Sequence, residues 1–82
     1  MMKGYTDKEH YIVELFSKHY VQLRNMCLNR VKGRSELYDF ADDAVQEAFI
    51  MLHEKYSRLK DHPNIDGWLF ETCKYRLILF TH

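Results

Sequence analysis

The sequence has few of the residues that break helices. It contains three glycines and one proline in 82 residues, although turns and strand-rich folds use both residue types often. It also has no long apolar run, so it predicts neither a signal peptide nor a membrane span. With 46% hydrophobic and 15% aromatic residues, the composition is typical of one small folded domain.

Cysteine is scarce, and the histidines are scattered. Cys27 and Cys73 are the two cysteines, too few for a disulfide framework, so we expect two small buried apolar residues in a reducing cytoplasm. The five histidines never show HxxxH or HExxH spacing, which favours dispersed surface positions over a metal site. A glycine-rich phosphate loop is also absent from the sequence. We therefore expect no metal, no cofactor and no catalytic residues.

The charges balance overall but not locally. Twelve basic and 12 acidic residues give a net charge of zero, which argues against a tight autonomous nucleic-acid binder. Residues 41–66 nevertheless hold six acidic and three basic residues. This acidic middle segment predicts contact with a basic partner surface.

The first helix is predicted over residues 7–31. Thr6 and Glu9 have the spacing of a capping box, and Gly33 is well placed to end the helix. Helical spacing predicts a core-facing stripe made of Ile12, Phe16, Tyr20, Leu23, Cys27 and Val31. Residues 32–38 break the period and predict a loop with a short turn at 35–38.

The second helix is predicted over residues 40–57, with Asp39 as its cap. Its apolar stripe consists of Ala41, Val45, Ala48, Phe49, Leu52 and Tyr56. Another face carries Asp43, Gln46, Glu47 and Ile50, with no obvious intramolecular use. On an arbitrary helix such a face is more often in contact with water alone. The alternative is that it binds a basic and partly apolar surface of a partner protein.

A polar connector is predicted at residues 57–64, because Pro63 prevents a helix from continuing through it. The last helix is predicted to follow this connector. Asn64 or Asp66 is the candidate cap. One helix face should pack inward, and it is made of Ile65, Trp68, Leu69, Thr72, Cys73, Arg76, Leu77 and Phe80. Residues 77–80 are apolar around most of the helix, so part of this surface should be exposed or covered by a second copy or by further sequence. The sequence therefore predicts an all-α domain over residues 1–82, a small bundle of three main helices.

Three segments together resemble region 2 of bacterial sigma factors of the extracytoplasmic-function group. They are D-D-A-V-Q-E-A-F at residues 42–49, H-P-N at 62–64 and G-W-L-F-E-T-C-K-Y-R at 67–76. That family typically has a D-D-hydrophobic-V-Q-E-x-F helix, a loop, and a W-L-x-x-x-A-R-N helix. The resemblance covers about residues 12–80. It implies a non-catalytic domain that binds core RNA polymerase and directs it to promoters.

The resemblance implies a polymerase-docking face on the second helix. In the family this helix docks on the clamp coiled coil of the largest polymerase subunit. Carried over to this sequence, the polymerase-binding residues are Asp42, Asp43, Gln46, Glu47, Phe49 and Ile50, with Leu52 supporting them from the core. The family's usual control by anti-sigma factors makes such a protein a further expected partner.

The resemblance also implies recognition and opening of the −10 promoter element, mainly through the single-stranded non-template strand. The corresponding DNA-binding positions are Lys60, His62, Asn64, Trp68, Lys74, Tyr75 and Arg76. From residue type alone, Trp68 would either seal the core or support a stacked base. Two departures from the family pattern are Tyr75, where asparagine is frequent, and Glu71, at a commonly basic position.

Complete sigma factors carry a second, helix-turn-helix domain, which leads us to expect that this chain is a fragment of a longer sigma factor.

Two other functions fit the same sequence. A regulatory module that docks on polymerase without reading promoters is the first alternative, and Glu71, Tyr75 and the zero net charge favour it. The second alternative is an assembly domain whose C-terminal apolar patch forms a homodimer.

Overall fold

A computed structural model describes residues 6–81 of the chain. Over those residues every regular element is helical, namely α1 (Asp7–Arg30), a 3₁₀ turn (Ser35–Leu37), α2 (Tyr38–Glu54), α3 (Tyr56–Leu59) and α4 (Ile65–Thr81). The helices α1, α2 and α4 are the main ones, which confirms the predicted all-α bundle. The middle helix α2 packs against both α1 and α4.

The ends of α1 follow from local signals in the sequence. The Thr6 hydroxyl accepts a hydrogen bond from the Glu9 amide, and the Glu9 carboxylate accepts one from the Thr6 amide, both at 3.1 Å. This is the predicted capping box. Beyond the last turn, Gly33 has φ +85°, in a region that favours glycine. The predicted turn near residue 35 is confirmed as the 3₁₀ turn.

The bounds of α2 differ from the prediction at both ends. The helix begins at Tyr38, and Leu37 occupies the N-cap position without a side-chain hydrogen bond, so the predicted cap at Asp39 is wrong. Leu37 already has nearly helical dihedrals, φ −103° and ψ 0°, because the 3₁₀ turn leads straight into the helix. The end comes at Glu54, and after a break at Lys55 the one-turn helix α3 follows.

The start of α4 depends on a close approach between Asn64 and Gly67. The Asn64 side-chain oxygen accepts a hydrogen bond from the Gly67 amide at 3.0 Å, which selects Asn64 over Asp66 as the cap. A Cβ atom on residue 67 would lie 2.9 Å from Cγ of Asn64. Glycine therefore leaves the space that the capping amide occupies.

The core is made of small and aliphatic side chains from all three main helices. Fully buried residues include Leu23, Cys27, Ala41, Ala44, Val45, Ala48, Leu52, Leu69 and Cys73. Alanine at three positions of α2 lets its backbone come close to the neighbouring helices. The predicted stripe of α2 is confirmed from Ala41 to Leu52, while Tyr56 is half-buried.

The inward face of α1 lies one residue away from the predicted stripe in its first half. Its buried side chains repeat every four residues at Leu15, His19, Leu23, Cys27 and Val31. Phe16, predicted in the core, is 39% exposed, and His19, predicted on the surface, is 6% exposed; both predictions are wrong. The Nε2 atom of the buried imidazole lies 2.8 Å from an Asp66 carboxylate oxygen, so this nitrogen keeps a hydrogen-bonding partner inside the bundle.

The end of α4 has the partial exposure that its apolar residues predict. Leu77 is buried, whereas Ile78 and Leu79 are exposed by 41% and 48%. Phe80 returns to the bundle and stacks on Phe40 with ring centroids 6.0 Å apart. None of the helices within residues 6–81 has both the length and the apolar character needed to cross a membrane.

Candidate functional site

The candidate site is the outward face of α2. Asp43, Gln46 and Ile50 are exposed, and Ile50 keeps 50% of its surface accessible. Positions three and four apart on a helix share one side, so these three side chains form a continuous strip. The strip faces away from the bundle because the buried alanines and aliphatic residues lie on the opposite side of α2.

An open apolar depression of about 330 Å³ adjoins this strip. Its lining residues come from α1 and α2, and they are Ile12, Phe16, Gln46, Phe49, Ile50 and His53. The Phe16 ring packs edge-on against Phe49, with centroids 5.0 Å apart, and stacks on Tyr20 at 4.9 Å. Phe49 itself is only 7% exposed. The depression is thus supported from the core and open to large apolar side chains.

The α1 side of the depression was not among the residues predicted for the site. Ile12 and Phe16 were assigned to the core. His53, which lines the depression from α2, was assigned to the dispersed surface histidines. The available signal was the spacing of Leu15, Leu23, Cys27 and Val31 at multiples of four residues, which places Phe16 beside the buried stripe and not within it.

Two of the predicted polymerase-binding carboxylates are held in ion pairs. Asp42 accepts hydrogen bonds from Arg24 at 2.7 Å and from the Tyr20 hydroxyl at 3.1 Å. The bond to Asp42 raises the pKa of the Arg24 guanidinium. Glu47 accepts a hydrogen bond from Arg76 at 3.2 Å, so the expectation that Glu47 has no intramolecular use is wrong. Asp43 makes no ion pair among the described residues.

The predicted DNA-binding residues of the connector lie at the N-terminal end of α4. Lys60 is exposed. The His62 ring accepts a hydrogen bond from the Asn64 amide at 2.9 Å, while the Asn64 side chain caps the helix. Trp68, one turn into α4, is half-buried against the core. His62, Asn64 and Trp68 therefore have structural contacts, and Lys60 projects into solvent.

Further along α4 the predicted DNA-binding residues point in different directions. Lys74 lies 3.2 Å from the Glu71 carboxylate, and Tyr75 is 59% exposed. Arg76 pairs with Glu47 and lies 5.9 Å from the centre of the Phe80 ring. At about 100° per residue, the side chains of Lys74 and Arg76 leave the helix roughly 200° apart. Lys74 is also about 15 Å along the axis from Asn64. The structure does not bring the seven residues into one patch.

The described residues contain no group of three or more histidine, cysteine or acidic side chains suited to a metal ion. Comparisons with family models, with curated proteins and with solved structures found no match to this chain.

Proposed function

We propose that the chain is a transcription-initiation domain of the sigma region 2 type that docks on core RNA polymerase in the cytoplasm. The observation that carries the proposal is the exposed strip of Asp43, Gln46 and Ile50 beside an open apolar depression. Helical partners are commonly bound by such a combination of apolar pocket and polar border. The strip lies within the D-D-A-V-Q-E-A-F segment, which resembles the docking helix of the family.

Each part of this face has a distinct role in the proposed docking. The depression between Phe16, Phe49 and Ile50 receives apolar side chains of the clamp coiled coil. Asp43 attracts basic residues and acts mainly on the association rate. Gln46 supplies hydrogen bonds at the border between the two.

Asp42 and Glu47 flank this face in the proposal. Their carboxylates are committed to Arg24 and Arg76 at 2.7 and 3.2 Å. We therefore assign them to holding α2 against its neighbours, with a smaller direct share in polymerase binding.

The proposal extends to the −10 promoter element through the connector and α4. Tyr75 is the exposed aromatic residue best suited to stack on an unpaired base, and Lys60 is the exposed cation nearest the start of α4 in the sequence. We expect single-stranded DNA to bind better than duplex, because a protein without net charge releases few counterions on a duplex.

A docking module without promoter reading is the second candidate function. The ion pairs of Lys74 with Glu71 and of Arg76 with Glu47 favour it, because both cations are partly neutralised inside the chain. This candidate shares the docking face and differs only in DNA binding.

A two-step titration tests the proposal and separates the two candidates. The fluorescently labelled chain is first titrated with bacterial core polymerase, and the anisotropy should rise to saturation. Promoter oligonucleotides, single-stranded and duplex, are then added to the complex. Crosslinking of the non-template strand to α4 supports sigma activity, and docking without it supports the second candidate. Failure to bind polymerase would contradict both.

A further inference from the structure

The two cysteines meet in the core of the bundle. Cys27 on α1 and Cys73 on α4 are both 0% exposed, and their sulfur atoms lie 3.3 Å apart. Both are free thiols in the structure. The sequence predicted two inert apolar residues, and nothing in their separation of 46 positions indicated that they would touch.

We propose that Cys27 and Cys73 form a redox-active dithiol that a hydroperoxide oxidises to an intramolecular disulfide bridging α1 and α4. The sulfur atoms need to approach by roughly 1 Å to reach the length of a disulfide bond. A small shift of α4 against α1, or rotation of the two side chains, supplies that movement. This inference does not depend on the proposed function.

The surroundings of the two thiols indicate which one reacts first. Either sulfur can donate in this contact. The hydrogen bond with Cys73 lowers the pKa of the Cys27 thiol, burial raises it, and the positive charge of the nearby Arg30 lowers it. The same hydrogen bond raises the pKa of Cys73, and burial raises it as well. We therefore assign Cys27, the thiol near Arg30, as the one that ionises first. The thiolate is the nucleophilic form of cysteine.

The reaction with hydrogen peroxide balances in two steps. The Cys27 thiolate attacks one peroxide oxygen, the O–O bond breaks, and hydroxide leaves to take up a proton as water. The Cys73 sulfur then attacks the sulfenic sulfur of Cys27, loses its proton, and displaces a second water. The two thiols are oxidised by two electrons, and the peroxide is reduced to two water molecules.

Burial of both sulfurs makes the rate of this oxidation depend on opening of the bundle. An exposed thiol meets peroxide directly, whereas this pair must wait for a local separation of α1 and α4. We expect oxidation to be slow in buffer and several-fold faster in urea concentrations below the unfolding transition.

The test exposes the full chain to hydrogen peroxide, then unfolds it and alkylates the remaining thiols with iodoacetamide. Mass spectrometry should show a monomer lacking two hydrogens and carrying no alkyl group, and proteolysis should yield one peptide that links Cys27 to Cys73. Dithiothreitol should restore both alkylation sites. The oxidised monomer should also melt roughly 10 °C higher, because the bridge restricts the unfolded chain.

Matched controls are Cys27→Ala and Cys73→Ala, each of which keeps a small apolar side chain. Neither variant should form an intramolecular product or gain melting temperature under peroxide. If either variant fails to fold, the linked peptide from the wild-type chain still decides the question. Two alkylated cysteines after prolonged peroxide treatment, or oxidation only to sulfinic acid or to disulfide-linked dimers, would overturn the proposal.

Discussion

At the scale of single residues, Asn64 and Gly67 determine how α4 begins. Asn64 caps the helix by accepting from the Gly67 amide, and a Cβ on residue 67 would crowd that side chain. Asn64→Ala should cost about 1 kcal/mol of unfolding free energy. Gly67→Ala brings a helix-propensity gain of about 1 kcal/mol, but in the wild-type chain it also displaces the cap.

We therefore expect Gly67→Ala to be neutral or destabilising alone, and stabilising by roughly 1 kcal/mol when Asn64 is already alanine. Urea unfolding of the two single variants and the double variant measures this coupling. If Gly67→Ala has the same effect in both backgrounds, the close approach does not explain the glycine.

Residues that meet across the chain were the hardest to predict. The partner of the buried His19 is Asp66, which lies 47 positions away in the sequence and 2.8 Å away in space. Hydrophobicity alone would instead place Phe16 on the inward side of α1. The pairs Glu47–Arg76 and Cys27–Cys73 are likewise contacts between residues far apart in the sequence. Helical periodicity predicts which face is apolar, but it contains no information about which polar groups become partners.

At the scale of helices, the ion pair between Glu47 and Arg76 connects α2 to α4. Both side chains are about one-third exposed, at 33% and 28%. Arg76→Glu or Glu47→Arg should each destabilise the fold, by roughly 1 kcal/mol after allowance for solvent screening. The exchanged pair, Glu47→Arg with Arg76→Glu, should recover most of that loss.

Urea unfolding at low and high salt measures this effect, and the single-variant penalty should shrink as salt rises. The matching exchange of Lys74 and Glu71, which are closer to solvent, should change stability little. If the double variant is no more stable than the less stable single variant, the shapes of the two side chains, and not the pairing of their charges, determine the stability contribution of this contact.

Helix α4 also carries Tyr75, the residue that we propose stacks on a base of promoter DNA. Tyr75→Ala should weaken binding of single-stranded promoter DNA by about 1–3 kcal/mol, because a stacked base loses its aromatic partner. Tyr38→Ala, at the exposed start of α2, is the matched control and should have no effect. Fluorescence titrations across a salt series measure both. Equal losses in the two variants would remove Tyr75 from the proposed DNA surface.

The helix ends show which parts of the fold are encoded locally. The cap at Thr6, the cap at Asn64 and the end of α1 near Gly33 depend on short-range signals. The sequence predicted the Thr6 cap and the helix end near Gly33, and it offered Asn64 as one of two candidate caps. The start of α2 at Tyr38 and its break at Lys55 lack such a signal. Both depend on how neighbouring turns pack, so the predicted bounds of α2 were two or three residues too late.

At the scale of the whole molecule, the exposed apolar residues at the end of α4 bear on assembly. Ile78 and Leu79 lie on the surface, and a second copy packed helix against helix would cover them. We expect concentration-dependent association in sedimentation experiments, abolished by Ile78→Lys with Leu79→Lys. Val21→Lys, at an exposed apolar position of α1, should leave it unchanged. A strictly monomeric chain at high concentration would contradict this prediction.

The proposed docking face is the central claim at this scale. Its α2 half was predicted from the sequence, since Asp43, Gln46 and Ile50 share a helix face. Its α1 half, Ile12 and Phe16, was not, because it depends on how the two helices pack. The proposed function therefore rests on a surface that only the folded bundle completes.

The most direct test measures the affinity of core RNA polymerase for the wild-type chain, for Asp43→Lys with Gln46→Ala, and for Glu14→Lys. Glu14 is exposed and lies on the opposite side of α1 from Ile12 and Phe16, so its reversal matches the charge change of Asp43→Lys away from the docking face. We expect at least roughly tenfold weaker binding for the first variant and nearly wild-type binding for the second. No binding by the folded wild-type chain, or equal losses in the two variants, would contradict the account.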